Sequence, residues 1–268
     1  MNFAERVNDL IEKKNSLLCV GLDTVVEKMP PSIQASADPL FNFNKKIIDA
    51  TAEYAAAFKV NLAFYEAYGT QGWQALHKTF AYLPDDVIKI ADAKRGDIGN
   101  TAKKYAEAVF GQLDADAVTI NPYMGFDSAE PFLQDETKGA FFLCLTSNPG
   151  SMDFQHFSNG REKLYERVAA KVKEWNSRGN CGLVVGATHP EELAGIRKIV
   201  GDMPLLIPGI GAQGGDLESS VKNAAGGAAL FNSSRGIIYA SNSDDFALAA
   251  ADKAQRTRQQ LNTAGKLN

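Results

Sequence analysis

Short apolar runs alternate with stretches of helical periodicity along almost the whole chain, and this alternation restricts the fold more than any single motif does. Strand-like runs rich in β-branched and apolar residues fall at 17–22, 55–60, 87–90, 116–120, 139–145, 181–186, 205–207 and 228–231. Helical faces lie among them: Phe3, Val7, Leu10 and Ile11 first, then Leu40, Phe43, Ile47, Ile48 and Thr51. Trp73, Leu76, Phe80 and Leu83 mark a third face, stopped at Pro84, and Leu164, Val168, Val172 and Trp175 a later one. A helix is also expected after the central strand, to about Phe110. Thr188-His189-Pro190-Glu191 reads as a capping box with proline inside the first turn, and Glu27 to Asp38, with Pro30-Pro31, as a loop. Eight alternations over 268 residues, with no low-complexity linker, predict one α/β domain spanning residues 1–268, a (β/α)8 TIM barrel. A doubly wound α/β sheet shares the alternation and is the competing architecture.

Composition narrows the class. With 45% hydrophobic residues the chain can bury a sizeable core, and no run approaches the ~20 apolar residues of a membrane helix. The opening MNFAERVNDLIEKK is amphipathic and carries acidic residues, unlike a signal or transit peptide. Cys19, Cys144 and Cys181 sit inside apolar runs without CxxC spacing, which suggests buried thiols in a reducing compartment. A cytoplasmic protein is expected. The formal net charge of -4 argues against general nucleic-acid binding, so any anionic ligand must be held by local cations.

The stretch Val87 to Thr101, VIKIADAKRGDIGNT, holds the most unusual chemistry. Along a strand Ile88, Ile90, Asp92 and, if the strand persists, Lys94 point to one face. An apolar face ending in a carboxylate and then an ammonium is poorly suited to packing, although a solvated ion pair and a helix cap at Asp97 are the simpler alternatives. Gly96 allows a sharp turn, and Asp97 and Asn100 stand where a helix could begin. In a barrel, chemistry gathers at the carboxyl ends of the strands. Asp23, Lys59, Asp92 and Lys94 occupy such ends on three consecutive strands and are expected to converge.

Pro208-Gly-Ile-Gly-Ala-Gln-Gly-Gly215 follows the seventh strand. Gly209, Gly211 and Gly214 formally fit G-x-G-x-x-G, but the next strand ends in Asn232-Ser-Ser-Arg235 and supplies no acidic residue for a ribose. Barrels often bind phosphate with the loops after strands seven and eight, so a phosphate site is preferred to an exposed glycine turn. Gln213 and Arg235 would add an amide and a bidentate cation. No Cys/His cluster or H-x-x-x-H offers a transition-metal site. Asp92 and Asp97 could in principle hold Mg²⁺, yet Lys94 between them disfavours a cation.

Taken together, Asp92-Ala-Lys-Arg-Gly-Asp-Ile-Gly-Asn-Thr101, Phe58-Lys59-Val60-Asn61 upstream and the glycine-rich turn downstream resemble the orotidine 5′-phosphate decarboxylase family, most of all its longer bacterial branch. The similarity runs from Gly21-Leu22-Asp23 to Arg235 and includes Thr146-Ser-Asn-Pro-Gly150. The resemblance implies cofactor-free and metal-free decarboxylation of orotidine 5′-phosphate to uridine 5′-phosphate by a Lys59-Asp92-Lys94-Asp97 array. Lys94 would stabilise and then protonate the C6 carbanion. It further implies that Asp23 holds ribose hydroxyls, that Ser147 and Pro208 lie by the pyrimidine, and that Gln213, Gly214 and Arg235 grip the phosphate. Asp97 and Thr101 would reach into a neighbouring subunit's site, making a homodimer. The spaced D-x-K-x-x-D pattern is shared with a wider superfamily, so a magnesium-dependent sugar-phosphate lyase is one alternative. A non-catalytic phospho-ligand-binding barrel is another.

Overall fold

The computed structural model describes residues 1–188, 190–210 and 217–265. In chain order its main elements are α1 (Phe3–Lys14), β1 (Leu18–Gly21), α2 (Pro39–Thr51), β2 (Ala57–Asn61), α3 (Gly69–Tyr82), β3 (Ile88–Arg95), α4 (Gly99–Ala106) and β4 (Ala117–Ile120). There follow β5 (Gly139–Leu145), α5 (Leu164–Trp175), β6 (Cys181–Val185), α6 (Pro190–Val200), β7 (Leu205–Pro208), α7 (Leu217–Ala224), β8 (Ala229–Ser233) and α8 (Phe246–Gly265). All eight strands are parallel and each pairs with its sequence neighbour, β8 closing back onto β1. This is the TIM barrel, and the doubly wound sheet is set aside. Its strands are buried on both faces, which is why they read as continuous apolar runs rather than alternating ones.

Two cores follow from closure. The outer one lies between the strands and the surrounding helices, with Phe58, Val60, Phe142 and Leu183 facing outward. The inner one fills the amino-terminal half of the barrel with Ile88, Ile90, Phe141, Leu206 and Leu230. Helix α1 plugs that end. Its predicted face of Phe3, Val7, Leu10 and Ile11 is buried against the inner core, and the Phe3 ring meets Phe141 edge-on at 5.7 Å. The helix boundaries have local causes: Asn2 and Glu5 form a reciprocal capping box, and Asn15 ends the helix in the left-handed region at φ 44°. Gly139 is required beneath the plug, because a Cβ there would lie 2.3 Å from the Phe3 ring. Among the described residues no helix is long and apolar enough to cross a membrane.

Several expectations needed correction. The 27–38 segment is not a plain loop: it holds a 3-10 turn at Val26–Lys28 and one helical turn at Pro31–Gln34. Trp73 is 40% exposed, because α3 turns a small-residue face, Gly72 and Ala75, toward the barrel beside Leu76, Thr79 and Phe80. The close approach demands it, since a Cβ on Gly72 would fall onto the Tyr65 carbonyl. Leu164 likewise sits at an exposed helix start, whereas α5 does bury Val172, with Val168 and Trp175 packed against the core, and adds Tyr165 and Ala169 to that face. Between β4 and β5 the chain makes only short helical turns at Pro122–Met124, Phe126–Ala129 and Glu130–Phe132. After α4 the helix continues as a π-helix over Glu107–Gln112. Pro190 does open α6, but the Thr188 hydroxyl is buried without a hydrogen-bond partner and makes no cap; His189 lies outside the described residues.

Because the Phe3 ring fills the barrel floor with no slack around it, Phe3→Ala is expected to cost about 3–5 kcal/mol, in the range for buried aromatic truncation. Urea unfolding would show this as a lower midpoint at an unchanged slope.

Candidate active site

At the carboxyl ends of the strands the barrel opens into a cavity of about 410 Å³. Its floor is apolar, made by Leu143, Val184 and Leu206, and its charge is concentrated on the β1–β4 side. Lys59 stands in the middle of β2 rather than near its end, so Asn61, two residues on, also reaches the cavity. Lys59 Nζ donates to Asp92 Oδ2 at 2.7 Å, and Lys94 Nζ to Asp92 Oδ1 at 2.6 Å. Thr119 on β4 donates its hydroxyl to the same Oδ1 at 2.9 Å. Asp23, just past β1, brings its Oδ1 to 3.5 Å from Lys59 Nζ; that oxygen is buried and accepts no hydrogen bond. The four charges expected to converge do so.

Burial competes with opposite charge at Lys59 and Asp92. It opposes the Lys59 ammonium, but the carboxylates of Asp92 and Asp23 outweigh it and hold the pKa above the ordinary lysine value. Burial also opposes the Asp92 carboxylate, and there the ammonium groups of Lys59 and Lys94 prevail, holding it well below the usual carboxylate range. The Cys19 thiol nearby is pushed up to about 12 by burial, so it remains a neutral neighbour of the array.

The path of β3 brings Lys94 to Asp92. Simple alternation would put both on one face, but the ladder with β4 is irregular between Ala91 and Arg95, and Lys94 adopts φ 46°. A lysine in the left-handed region costs roughly 1 kcal/mol that a glycine would not incur. Here a side chain with an ammonium is retained at that position. The Asp23 segment is braced differently. Tyr65 OH donates to Leu22 O at 3.0 Å, the Thr24 hydroxyl to Asn44 Oδ1 at 2.6 Å, and Val25 N–H to Tyr239 OH at 2.6 Å. Asn44 Nδ2 in turn donates to Tyr65 OH and to the Thr79 hydroxyl, closing a wholly buried polar network.

Across the cavity stand Ser147 after β5, Pro208 at the end of β7 and Arg235, which opens a helical turn after β8. Ser147 enters because Gly186 has no side chain: a Cβ there would lie 2.2 Å from Ser147 Oγ. Gly209, at φ 104°, turns the chain away from β7. Gln213 and Gly214 lie outside the described residues. Asp97 and Thr101 are not brought to this cavity. Asp97 accepts a hydrogen bond from the next residue's N–H rather than capping α4, and Thr101 is exposed on that helix. Within one chain the array therefore has three members, Lys59, Asp92 and Lys94, with Asp23 beside them. Sequence reasoning gave no role to Thr119, Asn61 or Asn232. Asn61 was legible as the period-two partner of Lys59, whereas Thr119 carries no signal of its own.

Known proteins share this arrangement of sequence and fold. Residues 16–250 match the family model described as orotidine 5′-phosphate decarboxylase / HUMPS. An orotidine 5′-phosphate decarboxylase of Phocaeicola vulgatus is 52% identical over 260 residues, covering 94% of each chain. One from Dehalococcoides mccartyi is 48% identical over 269 residues, covering 98% of each. The structure of Leishmania donovani OMP decarboxylase superposes with a TM-score of 0.86 at 39% identity, covering 99% of this chain and 100% of that one. The chain thus belongs to the orotidine 5′-phosphate decarboxylase / HUMPS family.

Proposed function

We propose that the protein decarboxylates orotidine 5′-phosphate to uridine 5′-phosphate, the last step of UMP biosynthesis, and that Lys94 is its central group. The observation that carries this reading is the Asp92 carboxylate held ionised between Lys59 and Lys94 at the cavity wall. Loss of CO2 breaks the C6–carboxyl bond and leaves its electron pair in an sp² orbital that the pyrimidine ring cannot delocalise. The barrier must then be lowered by fixed charge. The Lys94 ammonium would stabilise the C6 carbanion as it forms and then transfer a proton to C6, water restoring the lysine. Asp92 would stand close to the departing carboxylate; two like charges at ~4 Å repel by about 4 kcal/mol at an effective dielectric of ~20. Lys59 keeps Asp92 in place and ionised.

The rest of the cavity divides among the parts of a nucleotide. Asp23, whose buried Oδ1 faces Lys59 but accepts no hydrogen bond, would accept from ribose hydroxyls, and Ser147 and Pro208 would flank the pyrimidine. Arg235, with Gln213 and Gly214, would hold the phosphate, and that remote binding energy serves catalysis by closing the site. Two chains would complete each site, a partner contributing Asp97 and Thr101. Supporting this, both residues lie outside their own cavity, and Ile98, Tyr123, Met124 and Phe126 expose apolar surface after β3 and β4. A cytoplasmic location fits three buried free thiols. A magnesium-dependent lyase is less well supported, because both Asp92 oxygens are already engaged by cationic donors and Thr119.

Ultraviolet absorbance of orotidine 5′-phosphate mixed with the protein tests the reading. The orotate band is expected to disappear at the same rate with or without EDTA, and roughly 10³-fold or more slowly with Lys94→Ala. Turnover by Lys94→Ala at near wild-type rate would sink the mechanism, and dependence on added Mg²⁺ would favour the lyase.

Shared sites make a second expectation. Lys94→Ala and Asp97→Ala should each be inactive alone. Exchanging their subunits should recover up to about a quarter of wild-type activity, since half of randomly paired dimers carry one intact site of two. No recovery after verified exchange would rule out Asp97 acting across the interface.

The pH dependence of stability follows from Asp92, whose folded pKa is depressed. Its contribution is fully present above the unfolded value of about 3.9 and is lost as pH falls below it. The urea-stability gap between wild type and Asp92→Asn, expected at about 3–5 kcal/mol for a broken buried pair, should be flat from about pH 8 to 5 and shrink below about pH 4.

A further inference from the structure

We propose that Thr119 is a positioning residue for the decarboxylation, its hydroxyl bridging the Lys94 backbone to the Asp92 carboxylate so that the Lys94 ammonium is held where the C6 carbanion forms. The inference rests on the reading of Lys94 given above, and it starts from the strand ladder. Between the Ala91–Val118 and Arg95–Ile120 pairs, β3 carries Asp92, Ala93 and Lys94, whereas β4 carries Thr119 alone. The bulge carries the Lys94 N–H away from a regular place in the ladder. The Thr119 hydroxyl oxygen takes it at 3.0 Å, while its own hydrogen goes to Asp92 Oδ1 at 2.9 Å.

One hydroxyl thus accepts from the residue that donates the proton and donates to the residue that anchors it. It does so where Lys94 is held at φ 46°, a conformation that a lysine adopts only when its surroundings compel it. Thr119 itself is 1% exposed, and its strand is paired on the other side with β5 through Phe141, so the hydroxyl is presented by a rigid wall. It also lines the cavity beside Asp92 and Lys94. A valine would keep the shape and the β-branching but would leave the Lys94 N–H without an acceptor and Asp92 with one donor fewer. The Lys94 backbone would then relax toward an ordinary extended path, carrying Nζ away from its place above Asp92.

Thr119→Val and Thr119→Ser are compared with wild type in steady-state turnover of orotidine 5′-phosphate, together with amide hydrogen exchange at Lys94 measured by NMR. For Thr119→Val, kcat is expected to fall roughly 10- to 100-fold with KM changed by less than about 3-fold, the signature of a displaced reacting group. The Lys94 amide should exchange faster in that variant, and Thr119→Ser, which keeps the hydroxyl, should restore both readouts to within about 3-fold of wild type. If Thr119→Val fails to fold, Thr119→Ala takes its place with the same expectations. A valine variant with kcat within about twofold of wild type, or a serine variant as impaired as valine, would overturn the proposal by assigning the effect to packing. Wild-type protein that leaves orotidine 5′-phosphate unchanged would instead refute the function; the hydroxyl bridge is then judged on exchange alone, and an unchanged Lys94 amide in the valine variant would refute it separately.

Discussion

Ionised Asp92 in an almost closed wall of the barrel is the constraint on which the rest of the site depends. A carboxylate so deeply placed is tolerable only if both oxygens are met by charge or hydrogen bonds. Its neighbours divide that task by strand: Lys59 comes from β2, Thr119 from β4, and Lys94 from a bulge in β3 itself. Lys59 and Thr119 are therefore delivered by the pairing of neighbouring strands, and only Lys94 by the local path of β3. The low polarizability of the apolar floor below, formed by Leu143, Val184 and Leu206, leaves these charges strongly coupled to one another and to any ligand above.

The two ends of the barrel do different work. At the amino-terminal end the interactions are all structural: the Phe3 plug, the Arg6–Asp116 ion pair that ties α1 to β4, and the buried guanidinium of Arg197. Arg197 donates to the carbonyls of Gly201, Met203, Ala224 and Ala228, and burial lowers its pKa to about 10. It thereby gathers the turns that enter β7 and β8, the strands whose far ends carry Pro208 and Arg235. Rigidity at one end of these strands positions the groups that line the cavity at the other. On the opposite wall the buried Thr24–Asn44–Tyr65–Thr79 network braces the segment that carries Asp23, so that its carboxylate is held in place at the cavity.

How much of this could be read from the amino acids depends on the range of each interaction. The strands, the plugging helix and the eightfold alternation were legible because they follow from local periodicity and from the continuous apolar runs that parallel strands need. Asp23, Lys59, Asp92 and Lys94 were legible as charges that interrupt or follow apolar strands, although Lys59 lies mid-strand. On α3 and α5 the expected faces hold except at Trp73 and Leu164, which lie exposed. Gly72 and Ala75 face the barrel instead, because the Tyr65 backbone lies too close for anything bigger, and Trp73 is left at the rim.

The sequence by itself thus determined the architecture and the charged residues, since hydrophobic period and strand-end placement are properties of neighbours in the chain. Tertiary structure decided which of those charges meet. It set Asp92 between two lysines, left Asp97 and Thr101 outside the cavity of their own chain, and recruited Thr119 to a bulge no local pattern announced. The physical reason is that a hydrogen bond between side chains 27 residues apart is specified only when two strands are brought into register.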